Sequence, residues 1–350
     1  MNSRQAHPNQ TRFGCALFFV ESGGRRAISP TLPRWRLLFG LVLLVGNTFA
    51  KGAESPIQRE LIQDPHFRRG ATVLQPEPGK RVPYGIVAGP QTNARPVWDL
   101  DQWSSHYPLP IASPTVLLDG SLVYSNLAKA ITFGVSGSSR GDVSLAVRAS
   151  TEYGSRARTP GEPWVHLLLE QTLQDQPALS EIDAARLHVE AQLVASKKGS
   201  MSNYSPGLHA AQFQIFFSVQ NLNPKSPGYG KYLWFGVPIY DDRHRVVPAF
   251  HAQDTGGTSM YIYTPASDTF SAKSAHDGEW IAIDRDLLPL MIQGLRQAWQ
   301  RGFLKESESL ADYRIAGMNV GWELPGTFDV ELQIRGLSLK VSPLSKKTGL

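Results

Sequence analysis

In nearly every apolar segment after residue 115, hydrophobic and polar residues alternate with a period of two, the spacing of a strand with one buried face. Phe213, Ile215, Phe217 and Val219 take one side of such a segment, and Gln212, Gln214, Phe216, Ser218 and Gln220 the other. Leu187, Val189, Ala191 and Leu193 alternate with Arg186, His188, Glu190 and Gln192, and Phe328, Val330, Leu332 and Ile334 with Asp329, Glu331, Gln333 and Arg335. Further strands are expected at 116–124, 130–135, 143–149, 164–171, 232–240, 260–263, 279–283 and 317–323, separated by turn clusters at 137–141, 223–230, 254–257 and 276–278. About ten antiparallel strands imply a mainly β chain folded as a two-sheet β-sandwich, jelly-roll-like in architecture. No internal repeat recurs, which disfavours propellers and solenoids.

A single helix interrupts this pattern near 287–301. Asp286 stands ready to cap it, Pro289 falls in its first turn where a missing N–H costs little, and Gly302 follows its end. Leu288, Met291, Ile292, Leu295 and Trp299 share one face, which reads as a stripe that packs on a sheet.

Charge separates the chain into a leader and a body. Six of the 35 basic residues and one of the 30 acidic residues lie in residues 1–50, leaving 29 of each for the rest. The net charge of +5 therefore belongs to the leader, and a nucleic-acid-binding body is not expected. Within the leader, Arg34 and Arg36 precede an apolar run from Leu37 to Val45 that ends in small residues before Ala50. A run this short has the form of a signal-peptide core, so residues 1–50 read as a signal peptide and the body as secreted or periplasmic. After cleavage near Lys51, no stable membrane insertion is expected. The only cysteine, Cys15, is also in the leader, so residues 51–350 form no disulfide and no thiolate metal site.

Residues 51–115 are rich in proline and lack a sustained apolar period, which predicts an extended N-terminal segment ahead of a β-sandwich domain at 116–350. Trp98, Trp103 and Tyr107 are grouped within it. These rings either dock the segment on the body or offer a platform for stacking a sugar ring.

The chain has no G-x-S-x-G elbow, no phosphate-binding G-x-x-x-x-G-K-[ST] loop, no G-x-G-x-x-G fingerprint and no H-E-x-x-H pair. No cofactor is implied. Glycosidic cleavage needs two carboxyl groups roughly 5 to 10 Å apart, one protonated and one ionised. On neighbouring strands Glu190 and Glu331 would meet that need, with His188, Gln212, Gln214, Phe216, Trp98 and Trp103 as the substrate-binding set; amides suit sugar hydroxyls because they donate and accept together. Glu323, between Trp322 and a Pro325-Gly326 turn, is a third catalytic candidate as a buried acid. Asp241, Asp242 and His244, followed by His251 and Asp254, hold oxygen and nitrogen ligands at no recognised metal spacing, so no metal site is assigned.

Two classes of function follow. The leading one is an exported protein that recognises a polysaccharide or oligosaccharide on a concave sheet face, with a glycoside hydrolase or polysaccharide lyase as its catalytic form. The alternative is a non-catalytic structural or interaction sandwich of the cell envelope.

Overall fold

Alternating segments bury their apolar side only if a second sheet closes over it, and the chain supplies that sheet. The computed structural model describes residues 58–91, 94–154 and 156–344. Its elements run β1 (Arg59–Glu60), β2 (Gly70–Leu74), β3 (Pro83–Ala88), β4 (Trp98–Asp101), β5 (Thr115–Val116), β6 (Leu122–Ser125), β7 (Lys129–Phe133), β8 (Val143–Arg148), α1 (Ala149–Tyr153) and β9 (Val165–Thr172). There follow β10 (Ile182–Lys198), β11 (Gln212–Asn221), β12 (Tyr232–Asp241), β13 (Phe250–Gln253), β14 (Tyr261–Thr264), β15 (Ile281–Asp286), α2 (Leu288–Gln300), β16 (Tyr313–Leu324) and β17 (Phe328–Pro343).

The strands form a jelly-roll-like sandwich of two sheets. The first has the order β15-β10-β17-β8-β7-β6-β5, with β1 added beside β17. The second has the order β13-β14-β12-β11-β16-β9-β4-β2-β3. Pairing is antiparallel except between β2 and β4 and between β12 and β14. Leu187, Val189, Val330, Leu332 and Ile334 of the first sheet meet Phe213, Ile215, Phe217, Val219 and Val320 of the second in one core. Trp322 links the two layers, because its indole N–H donates to the Leu145 carbonyl at 2.8 Å while its ring fills the gap between sheets.

Helix α2 lies over the core with Leu288, Met291, Leu295 and Trp299 buried, as its stripe demands. The Asp286 carboxylate accepts from the Leu288 and Ala185 N–H groups, tying the helix start to β10. Among the described residues no helix is long and apolar enough to cross a membrane.

Three sequence expectations change. The segment expected at 116–124 is a hairpin, since Gly120 takes φ +83° and the Leu117 N–H donates to the Ser121 carbonyl. The described part of the segment expected at 51–115 is more regular than its prolines suggest: β2, β3 and β4 complete one edge of the second sheet. Trp98, offered as a sugar-stacking ring, is instead fully buried between the sheets, 4.9 Å from the Phe67 ring, and so docks the segment on the body. The leader lies outside the described residues.

Candidate functional site

The outer face of the second sheet concentrates the polar chemistry. Strand register builds it in rows. Gln212 of β11 stands beside Glu323 of β16, which stands beside His166 of β9. The next row is Gln214, Gly321, Leu168 and Asp101, and the next is Phe216, Asn319, Glu170 and Asp99. Period-two alternation is the reason: the apolar partners of these residues face the core, so these face outward. Gly321 has φ +150°, and a Cβ there would meet the Leu167 carbonyl oxygen at 2.2 Å, so the floor between Glu323 and Asn319 has no side chain.

Glu323 is buried and held by donors. The Trp164 indole N–H reaches its Oε2 at 3.3 Å, the Gln214 amide reaches its Oε1 at 3.2 Å, and His166 Nε2 lies 3.7 Å from Oε2. These donors satisfy the oxygens of a carboxyl taken out of water.

Asp254, just past β13, has the opposite setting. Its Oδ2 accepts from the Thr258 N–H at 2.8 Å and the Thr258 hydroxyl at 2.6 Å, while its Oδ1 is buried and finds no hydrogen-bond partner among the described residues. Burial pushes its carboxyl above the usual range, and the charge of nearby Glu323 adds to this against the two Thr258 bonds. The two carboxyls thus sit in unlike settings, one ringed by N–H donors and the other pushed toward its neutral form, and such a contrast suits an acid and base pair. Trp164 and His166 beside Glu323, and Gly256 beside Asp254, line a cleft of about 630 Å³ together with Ser104 and Arg158. That volume suits a small ligand or a segment of a longer one.

A second carboxylate group lies two strands away. Arg81, from the loop between β2 and β3, pairs with both Asp99 and Glu170. Asp101 beside them is fully buried, and neither of its oxygens has a partner among the described residues. Burial pushes its carboxyl up to about 7, with Arg81 opposing and Asp99 reinforcing the rise.

The structure divides the residues singled out from sequence. Glu323, Gln212 and Gln214 do come together on the second sheet. His188, Glu190 and Glu331 lie instead on the outer face of the first sheet, on the far side of the sandwich from the three residues just named. Glu190 is paired with Arg335 and stands opposite it in register, whereas Glu331 stands opposite Ala195 and accepts from the Ser144 hydroxyl. Four to five residues along a strand separate the two acids on the order of 15 Å, beyond the span of a carboxyl pair acting on one bond.

Phe216 is not open. It is 3% exposed and joins Trp103, Leu168, Tyr232, Trp234 and Ile262 in a second apolar cluster on this face, its ring edge-on to Trp234 at 5.7 Å. Trp103 is therefore part of a cover. Asp241 accepts from the Arg243 guanidinium at 2.6 and 2.8 Å and from the Gln212 amide at 2.9 Å, making a charged turn at that strand end. Among the described residues no group of three or more His, Cys, Asp or Glu side chains is placed to hold a metal ion.

Three site residues escaped the sequence reading. Glu170 and His166 were legible, since alternation through 164–171 puts them on one face with Leu168, opposite the core residues Leu167 and Leu169. Asp254 stands in the sequence only as an acid following the 241–244 stretch, to which no metal site is assigned, because nothing local brings a residue after β13 to one in β16.

No family model matches the sequence, and no curated protein matches it. Among solved structures, a cellulase derived from Cel12A of Rhodothermus marinus is similar at 12% identity and a TM-score of 0.36, covering 70% of this chain and 100% of that one. The family 11 xylanase from Neocallimastix patriciarum is similar at 9% identity and 0.33, covering 67% and 98%. The xyloglucanase domain of the effector NopAA from Sinorhizobium fredii, solved with cellobiose, is similar at 11% identity and 0.33, covering 68% and 100%. Likeness at this level transfers no site residue and no activity to the chain.

Proposed function

We propose that this is an exported glycan-active protein, a glycosidic-bond-cleaving enzyme whose reacting pair is Glu323 and Asp254. The observation that carries the reading is the contrast between these neighbouring buried carboxyls. Glu323 takes N–H donors from Trp164 and Gln214, and Asp254 is pushed toward its protonated form with one oxygen unpartnered. In this reading Asp254 protonates the departing glycosidic oxygen, and Glu323 stabilises or attacks the sugar carbon that acquires positive charge. The Trp164 ring supplies an apolar wall for a sugar face, and Ser104 and His166 supply hydrogen-bonding edges in the same cleft. Amides at Gln212 and Gln214 align the floor. Export rests on the basic and apolar leader.

Binding and turnover separate this from the alternative, an envelope sandwich without a small-molecule site, which the apolar closure around Phe216 favours. Native gels cast with soluble polysaccharides of different backbone and linkage should retard the Glu323→Gln variant in at least one gel. Substituting Trp164 by alanine in that variant should restore its mobility. Unretarded migration in every gel would leave the interaction sandwich as the better account.

A further inference from the structure

We propose that the loop joining β2 and β3, residues 75–82, is a strap that Arg81 latches across the carboxylate-lined half of the second sheet's outer face, and that its release opens that half to ligand. The loop is closed at its root by the Gln75 N–H donating to the Val82 carbonyl at 2.9 Å. At its tip Gly79 takes φ +72° with nothing within 4 Å of where a Cβ would stand, so the tip is not packed. Residues 77–80 and Val82 are exposed. Two ties hold the strap to the sheet: the Ser104 N–H donates to the Pro76 carbonyl at 2.8 Å, and Arg81 reaches down to Asp99 and the fully buried Glu170.

What lies near the latch is the second observation. Asp101 is a fully buried acid without a hydrogen-bond partner among the described residues, on the same face as Glu323 and one row away from it. Closure therefore sets the ion pairs of Arg81 against the cost of leaving Asp101 unhydrated, and opposing terms of this kind create an element with two populated arrangements. The strap also forms walls: Pro78 lines the cleft beside Trp164 and a neighbouring one of about 460 Å³ that contains His106 and Glu152. Release would join the cleft to Asp101 and to the next row, which holds Glu170 and Asp99, extending the site toward a ligand longer than the cleft. That the ligand is a hydroxyl-rich glycan rests on the function proposed above; the strap itself does not.

Hydrogen exchange of the purified protein without ligand tests the strap apart from that reading. In the wild type, peptides covering 75–82 and 98–103 should exchange together, faster than the β11 peptide and with weaker dependence on denaturant, because they open without global unfolding. Arg81→Met should raise their exchange at least tenfold and leave β11 unchanged, whereas Asp101→Leu should slow it. Exchange of both peptides only through global unfolding in the wild type, or an unchanged rate in a folded Arg81→Met protein, would overturn the strap. A protein inert toward every glycan but showing the concerted local opening would retain the strap and lose the enzyme reading.

Discussion

At the scale of single residues, the site is defined by how burial is compensated. Glu323 and Asp101 are both buried acids, yet Glu323 accepts from N–H donors and Asp101 has no hydrogen-bond partner among the described residues. Asp101 therefore leaves a signature in stability. Its folded carboxyl is raised from 3.8 to about 7, so the folded state holds the proton more tightly than the unfolded chain. The contribution is present in full below the unfolded value and is lost as pH rises through the folded one. Denaturant midpoints should fall between pH 4 and pH 8, by on the order of a few kcal/mol in unfolding free energy. Asp101→Asn should flatten most of that slope, and an equal slope in the variant would place the proton elsewhere. In the proposed function Asp254 carries the same sign into catalysis. As a general acid with a raised carboxyl, it should keep activity at pH values where an ordinary aspartic acid has ionised, and turnover should fall as pH climbs through its folded value. Glu323 was legible as a buried acid from its place before a Pro-Gly turn. Its partner was not, since only the folded chain brings the residue after β13 to β16.

Among elements, alternation determines which residues of a strand face the core but not which sheet the strand joins. Period two says that Glu190, Glu331 and Gln214 each face away from a core, but a sandwich has two outward faces and the period does not distinguish them. That is why one expected constellation divides between β10 and β17 on one sheet and β11 on the other. The N-terminal strands were hidden for a different reason. Pro83 opens the edge strand β3, where a missing N–H is tolerated, the β2–β3 hairpin is joined by the long loop 75–82, and β2 pairs parallel with β4, so no tight two-residue turn announces them. Their structural weight is testable. A chain starting at residue 116 would lose the strands that pair with β9 on that side and the Trp98 ring from the core, and should be recovered as an aggregate or a molten species. A soluble, cooperatively unfolding fragment would show that residues 58–101 are an appendage. Helix α2 follows its stripe more simply: Trp299 packs near Tyr313 at 6.0 Å between ring centres, and Trp299→Ala should destabilise the protein by about 3 to 5 kcal/mol. A loss within about 0.5 kcal/mol would mean that the ring contributes no packing.

For the molecule as a whole, the two faces of the sandwich do different work. The first sheet turns a solvated, ion-paired surface outward, with Arg186 on Asp284 and Arg335 on Glu190, and exposed pairs of this kind add little stability. The second sheet instead buries acids, amides and aromatic rings under Trp103, the β2–β3 loop and the residues after β13, an arrangement that costs free energy and so points to use. In the proposed function the buried pair on this face breaks glycosidic bonds. Reducing-end release from the polysaccharide that retards the protein is its most direct test, measured for the wild type, Glu323→Gln and Asp254→Asn. Steady release by the wild type is expected, with a fall of about 10²- to 10⁴-fold in each variant while retardation persists. Equal release by all three proteins, or none by the wild type on a polysaccharide that it binds, would contradict it.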